Sequence, residues 1–211
     1  LFNDNFKIIG SLRVDKNSNF NAQVSPRGSL VYTYKAKNSS HTFRFSASSA
    51  FRTPTLQDQY LYLNIGLIKL VGNINGMNNL YTTSSVHDEI NYYAAHPNDL
   101  TEAVDLLKPI TLKPIAPEHV TSFEVGYRGD IKNKIFIDVT AYYSIYRSFI
   151  GFTRVMTPNN DSTTNGVAGT DDGVNNILAF DTTSLQSWVN SEGKVPSWGV
   201  AASVSYYVGH G

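Results

Sequence analysis

An all-β chain of antiparallel, up-and-down strands is what this sequence predicts. Three observations carry that prediction. Six segments of about ten residues alternate apolar with polar side chains, the period of a strand with two different faces. The chain is rich in Tyr (13) and Phe (11), residues that fit a pleated, half-buried surface. Short connections between these segments alternate with two very long ones.

The first segment, Phe6 to Asp15, sets Ile8, Leu12 and Val14 against Lys7, Ser11, Arg13 and Asp15. The second, Val24 to Lys35, sets Leu30, Tyr32 and Tyr34 against Arg27, Ser29, Thr33 and Lys35. In the third, from His41 to Ala50, Phe43, Phe45 and Ala47 oppose Thr42, Arg44, Ser46 and Ser48. It runs into an Arg-Thr-Pro-Thr elbow, and a proline cannot donate to a ladder. In the fourth, His119 to Asp130, Phe123, Val125 and Tyr127 oppose Ser122, Glu124, Gly126 and Arg128. The fifth, Lys134 to Ile150, sets Ile135, Ile137, Val139, Ala141 and Tyr143 against Asp138, Thr140 and Tyr142. The sixth, Ser197 to Val208, sets Val200, Ala202, Val204 and Tyr206 against Ala201, Ser203 and Ser205.

The connections Lys16 to Gln23, Ala36 to Ser40 and Asp130 to Asn133 are short, whereas Phe51 to Glu118 and Gly151 to Pro196 are long. In an up-and-down order both long ones leave from the same end, the layout of an outer-membrane barrel. A short helix is expected within Pro97 to Pro109, capped by Asn98 or Asp99 and ended by Pro109. The Asn/Ser/Thr/Gly run from Thr157 to Asn176 reads as a solvated loop.

The two faces differ in kind. Among the strands the polar face carries Ser, Thr and Gly with single charges at Arg13, Arg27, Arg44, Glu124, Arg128 and Asp138. A soluble sandwich would carry many Lys and Glu there, whereas the lumen of a wide barrel suits paired or hydrated single charges. The apolar face is almost free of charge, as lipid requires, since a Lys or Arg at the bilayer midplane costs roughly 2–4 kcal/mol. Tyr32, Tyr34, Tyr127, Tyr143 and Tyr206 fit an interfacial girdle. The pattern favours a transmembrane barrel; a soluble or surface-attached β-sandwich for binding or adhesion is the alternative.

Composition narrows the functions. The 211 residues hold 17 basic and 17 acidic side chains, so the zero net charge lacks the footprint of a nucleic-acid binder. With no cysteine there is no disulfide scaffold and no Cys-ligated metal. No stretch is long and apolar enough for a transmembrane helix, the run from Leu61 being interrupted by Asn64 and Lys69. No signal peptide is visible, and the chain opens at Leu1 and stops at a strand end, so it reads as a segment cut from a longer protein.

The run SPRGSLVYTY followed by HTFRFSASSAFRTPT resembles barrel strands of TonB-dependent outer-membrane receptors, as does APEHVTSFEVGYRGDIKNKIFIDVTAYYSIYRSFI. In that family a strand ending Phe-Arg-x-Pro-Thr runs to a long extracellular loop, as Phe51, Arg52, Pro54 and Thr55 do here. A Pro-Glu opening (Pro117, Glu118), a Glu-x-Gly-Tyr core (Glu124, Gly126, Tyr127) and a Tyr-Tyr pair (Tyr142, Tyr143) follow in the family's order. Leu12, Arg13 and Asp15 match a Leu-Arg-x-Asp strand end, and the Asn-, Tyr- and Ser-rich style is similar to receptors of the Bacteroidetes type.

The resemblance implies a wall segment, about six strands of a barrel of about 22 that surrounds a globular plug. It implies residence in the Gram-negative outer membrane and import of a scarce nutrient: a siderophore, cobalamin, an oligosaccharide or a peptide. The implied partners are outer-membrane lipid, the TonB complex acting through a plug that this sequence lacks, and a small-molecule, glycan or peptide ligand. A surface lipoprotein lid over the long loops belongs to the same set. Residues 1–211 would all belong to the barrel domain, with the charged residues named above facing its lumen. Such a piece alone is not expected to close into a pore, because unpaired edges do not persist in hydrocarbon.

Catalytic chemistry has little support. His41, His87, His96, His119 and His210 form no zinc motif, and no phosphate loop, dinucleotide fingerprint or nucleophile elbow occurs, so neither an enzyme nor a cofactor is expected. His87, Asp88 and Glu89 could form a cation patch, but they read better as a solvated loop. Gly169 to Asn176 has the acids of a calcium loop without its spacing. Candidate ligand contacts are the loop aromatics Tyr60, Tyr62, Tyr81, Tyr92, Tyr93 and Trp188, with Phe51 and Arg52 at the elbow. Such rings stack on sugars or flat chelates, but packing of the loops against each other is the favoured reading.

Overall fold

In the computed structural model residues 5–159, 171–179 and 181–209 are described. In chain order the elements begin with β1 (Phe6–Asp15), β2 (Gln23–Ala36), β3 (Ser39–Arg52), α1 (Leu56–Tyr60), β4 (Tyr62–Asn64) and β5 (Lys69–Val71). Next come β6 (Met77–Thr82), α2 (Thr83–Ala95), α3 (Leu100–Asp105), β7 (Pro109–Leu112), β8 (Glu118–Ile131) and β9 (Ile135–Arg147). The last are β10 (Ile150–Pro158), α4 (Asp171–Leu178), β11 (Thr182–Asn190) and β12 (Val195–Tyr206). The chain divides into two compact units.

The first unit is an open antiparallel sheet in the order β1-β2-β3-β8-β9-β12. These are the six segments whose alternation is visible in the sequence, each ten to fourteen residues long. A tilted strand needs about 9–11 residues to cross a bilayer. The register keeps the alternation in phase across the whole sheet. One row runs Ile8, Leu30, Phe45, Val125, Ala141, Val200. A row on the opposite face runs Ser11, Arg27, Ser48, Ser122, Ser144, Ser197. A slip of one residue in any strand would exchange the two faces of that strand.

The apolar face is left uncovered: Leu12, Val200 and Val204 are each about two-thirds exposed, and Phe43 is 50% exposed. A contiguous apolar face of this extent marks contact with something other than water. The fifth strand is shorter than the sequence suggested. Ser148 takes a positive φ of 53°, which ends β9 and lets Ile150 start β10.

The second unit is built from what the sequence presented as two long loops. They are not loops. They form a six-stranded sheet in the order β4-β5-β11-β10-β6-β7, with four helices in the same unit. The pairing of β5 with β11 is parallel, joining residues more than a hundred positions apart. Leu80, Leu112 and Val155 make one core cluster. Tyr81, Val86, Leu107, Val174 and Ile177 make another, which seats α2 and α4.

Helices α1, α2 and α3 start where side chains can satisfy free N–H groups. Thr55 and Asp58 form a capping box on α1, Thr82 caps α2, and Asp99, one of the two expected caps, caps α3, which ends at Asp105 while Pro109 opens β7. The segment read as a solvated loop from Thr157 to Asn176 is ordered at both described ends: Thr157 and Pro158 close β10, and Asp171 opens α4. Of the calcium candidate, Gly169 and Thr170 and the side chains of Asp171 and Asp172 lie outside the described residues, as does His210.

Candidate functional site

The register places Arg13, Arg27, Arg44, Glu124, Arg128 and Asp138 on one face of the first sheet. Three of them meet. Asp138 accepts from Arg44 Nη2 at 3.1 Å and lies 3.8 Å from Arg128 Nε. Arg44 Nη2 also donates to Thr140 Oγ1 at 3.4 Å. One carboxylate between two guanidiniums leaves local positive charge on this face. Arg13 pairs with Asp15 at 2.7 Å, while Arg27 and Glu124 make no ion pair among the described residues.

The elbow is more than a strand terminator. Arg52 Nη2 donates to Glu118 Oε2 at 3.1 Å, across the last register pair of β3 and β8. Glu118 is buried, so the first residue after Pro117 anchors the arginine before Pro54. Nearby the sheet forks. The β2–β3 ladder ends at the pair Arg27 and Ser48, yet β1 and β2 stay paired to Asp15 and Gln23, and β3 and β8 stay paired to Arg52 and Glu118. Pro26, which has no N–H to donate, stands one residue past the last pair. A cleft of about 430 Å³ opens at this end, lined by Arg13, Asp15, Phe20, Gln23, Phe51 and Arg52 among others. The structure thus brings Phe51 and Arg52 together with Arg13. Asp15 and Gln23 were not singled out in the sequence as ligand contacts.

The second unit separates the aromatic candidates. Tyr60 and Tyr62 are exposed, at 55% and 70%. Tyr81 is 1% exposed and belongs to the core, so its ring packs the unit and is not offered to a ligand. Tyr92 stacks on His96 at 4.5 Å between ring centroids and donates to Asp99 at 3.1 Å, a contact that holds α2 against the start of α3. Tyr93 is half-buried.

Trp188 of β11 is half-buried and stands opposite Phe152 of β10, which is 65% exposed. Two residues along on the same face, Arg154 Nε donates to Gln186 Oε1 at 3.4 Å. Phe152, Arg154 and Gln186 were missed because their strands were read as loop. The His87-Asp88-Glu89 patch does not exist as such: His87 and Asp88 face water, and Glu89 is fully buried. Among the described residues no group of His, Asp and Glu is placed to hold a metal ion.

An open antiparallel wall with an uncovered apolar face and a charged opposite face defines a segment of a membrane β-barrel. The family model described as "TonB dependent receptor-like, beta-barrel" matches residues 2–209, and the chain belongs to that family. Its location is the Gram-negative outer membrane. Membership decides between the barrel and the sandwich in favour of the barrel. No curated protein matches the chain. Among solved structures it is similar to the crystal structure of the siderophore receptor PirA from Acinetobacter baumannii, with 15% identity and a TM-score of 0.52. That match covers 98% of this chain and 24% of the other, so the chain spans about a quarter of that receptor's length.

Proposed function

We propose that this chain is part of the wall and surface loops of an outer-membrane receptor that imports a scarce nutrient by TonB-coupled transport. The nutrient classes are siderophores, cobalamin, oligosaccharides and peptides, and the similarity to a siderophore receptor supports giving iron chelates the first trial. The observation that carries the reading is the in-phase register of six strands, with apolar rows on one face and Ser, Thr and Arg rows on the other. In this reading Arg13, Arg27, Arg44, Glu124, Arg128 and Asp138 face the lumen. Phe51 and Arg52, with Tyr60, Tyr62 and Trp188, belong to the extracellular ligand-contacting side.

The full receptor would draw energy from TonB through its plug, and a lipoprotein lid over the loops is a further proposed partner. The test is a deletion of the full-length gene, scored for uptake of each nutrient class at limiting concentration. One class should fail, and a TonB deletion should reproduce the failure. Unchanged uptake of all classes, or a native product found in the soluble fraction, would refute the reading.

A further inference from the structure

Helix α2 holds a carboxyl group where carboxyls are rarely found. Glu89 is 0% exposed, and neither Oε1 nor Oε2 has a hydrogen-bond partner. Its helix neighbours Val86 and Ile90 pack with Tyr81, Leu107, Val174 and Ile177. A buried carboxylate without counter-ion or donor is strongly disfavoured, so the group stays neutral or the surroundings give way.

Among the described residues no ion pair reaches the carboxyl; Lys108, whose backbone N–H donates to Ser85 Oγ at 3.1 Å, has an exposed side chain. The elements packed against α2 are α3, β6, β10 and α4. From α3 come the exposed Glu102 and Asp105, and from β6 the buried Tyr81. From β10 comes Arg154, exposed and bonded to Gln186. On α4 the ionisable groups are Asp171 and Asp172, acids whose side chains lie outside the described residues. Within α2, His87 and Asp88 are exposed and Tyr92 and Tyr93 half-buried. Burial alone pushes the Glu89 carboxyl up to about 7.

We propose that Glu89 is a proton-operated latch of the second unit: its neutral acid lets α2 lie on the core, and its ionisation releases the helix. The direction follows from the two protonation curves. Below pH 4.5, the ordinary value, the carboxyl is neutral whether α2 is docked or open, and there is no penalty. Between 4.5 and about 7 only the open form ionises, so docking weakens as pH rises. Above about 7 both forms are ionised and the penalty is complete, a change of about 300-fold in the docking equilibrium. The latch concerns the fold of this unit and does not depend on what is transported.

The test is hydrogen–deuterium exchange of the α2 amides in the full-length receptor in membrane, between about pH 5 and pH 8.5, corrected for intrinsic exchange. Protection of α2 should fall about a hundredfold across that range, while the amides of β8 and β9 keep theirs. Glu89→Met removes the ionisable group at similar volume and should abolish the pH dependence; Glu89→Gln should do the same. Equal α2 protection at both ends of the range in the wild type, or an unchanged slope in either variant, overturns the latch. Where neither variant folds, the wild-type profile decides alone: a fall confined to α2 and its packing partners supports the latch, and a flat or uniform profile overturns it.

Discussion

Arg44 of β3 reaches Asp138 of β9 by lying across Gly126 of the strand between them. A Cβ on Gly126 would stand 3.0 Å from Arg44 Nε and 3.1 Å from Nη2, on the line the guanidinium takes to Asp138 and Thr140. This gives the Glu-x-Gly-Tyr stretch its physical reason at the glycine. Gly126→Val should displace Arg44 and cost about 1 kcal/mol, the range of a partly exposed, hydrogen-bonded ion pair. Gly126→Ala should cost less, because the guanidinium end of the side chain can give way. Urea unfolding of the full receptor in vesicles measures both, and a Val variant as stable as wild type would remove the glycine from this role.

The elbow pair Arg52–Glu118 offers a second measurement. Glu118 has an 8% exposed side chain and Arg52 a 51% exposed one, so the carboxylate is the desolvated partner. Removing Arg52 takes a cation away from a buried carboxylate, whereas removing Glu118 leaves an arginine that water can reach. Arg52→Ala should therefore destabilise the β3–β8 end more than Glu118→Gln, by about 1 kcal/mol after discount for solvent. Protease nicking at the elbow would report the difference, and equal sensitivity of the two variants would contradict the ordering.

Much of the wall was legible because its strands are long and have two unlike faces. Ten or more residues such as FKIIGSLRVD show period two without help from neighbours. The second unit was illegible for a matching reason. Strands β4 and β5 are three residues each, too short to show a period, and β5 finds its partner β11 only in the folded chain. Tyr62 and Tyr81 look alike in sequence, yet one is exposed and one is core. Glu89 follows His87 and Asp88 in a run that reads as solvated, but a helix turns each successive residue by about 100°. A sequence cue does exist for α1: Thr55 with Asp58 three residues later is a capping spacing.

The split among the tyrosines can be tested directly. Tyr81→Ala should cost about 3–5 kcal/mol in stability of the second unit, since it empties a filled core position. Tyr62→Ala and Tyr60→Ala should change stability by less than about 0.5 kcal/mol and act, if they act, on ligand uptake alone. Thermal denaturation and uptake measured on the same full-length variants separate the two effects. A Tyr81→Ala receptor as stable as wild type would show that this ring does not hold the core together.

Asn73 is the most economical tie in the second unit. It is 1% exposed, and its Nδ2 donates to Lys113 O at 2.9 Å and to Trp188 O at 2.8 Å. Its backbone N–H donates to Asp58 O at 2.9 Å, and its carbonyl accepts from Ile115 N at 2.8 Å. The tight approach extends to Gly72, where a Cβ would stand 2.4 Å from the backbone of Gln59 and Tyr60. One residue therefore joins the segment after β5, the segment after β7 and strand β11. Asn73→Leu takes the donor from two part-buried carbonyls and should cost about 1–3 kcal/mol, offset in part because it also removes the buried Oδ1, which has no partner. Asn73→Asp keeps the shape but turns a carboxylate toward two carbonyl oxygens, so at neutral pH it should be the worse variant. Acidification should narrow that gap, because the introduced carboxyl, once protonated, can donate to one of the carbonyls. Exchange protection of β11 at neutral and acidic pH would show the order and its narrowing; an Asp variant indistinguishable from wild type at neutral pH would mean the Nδ2 contacts carry no stability.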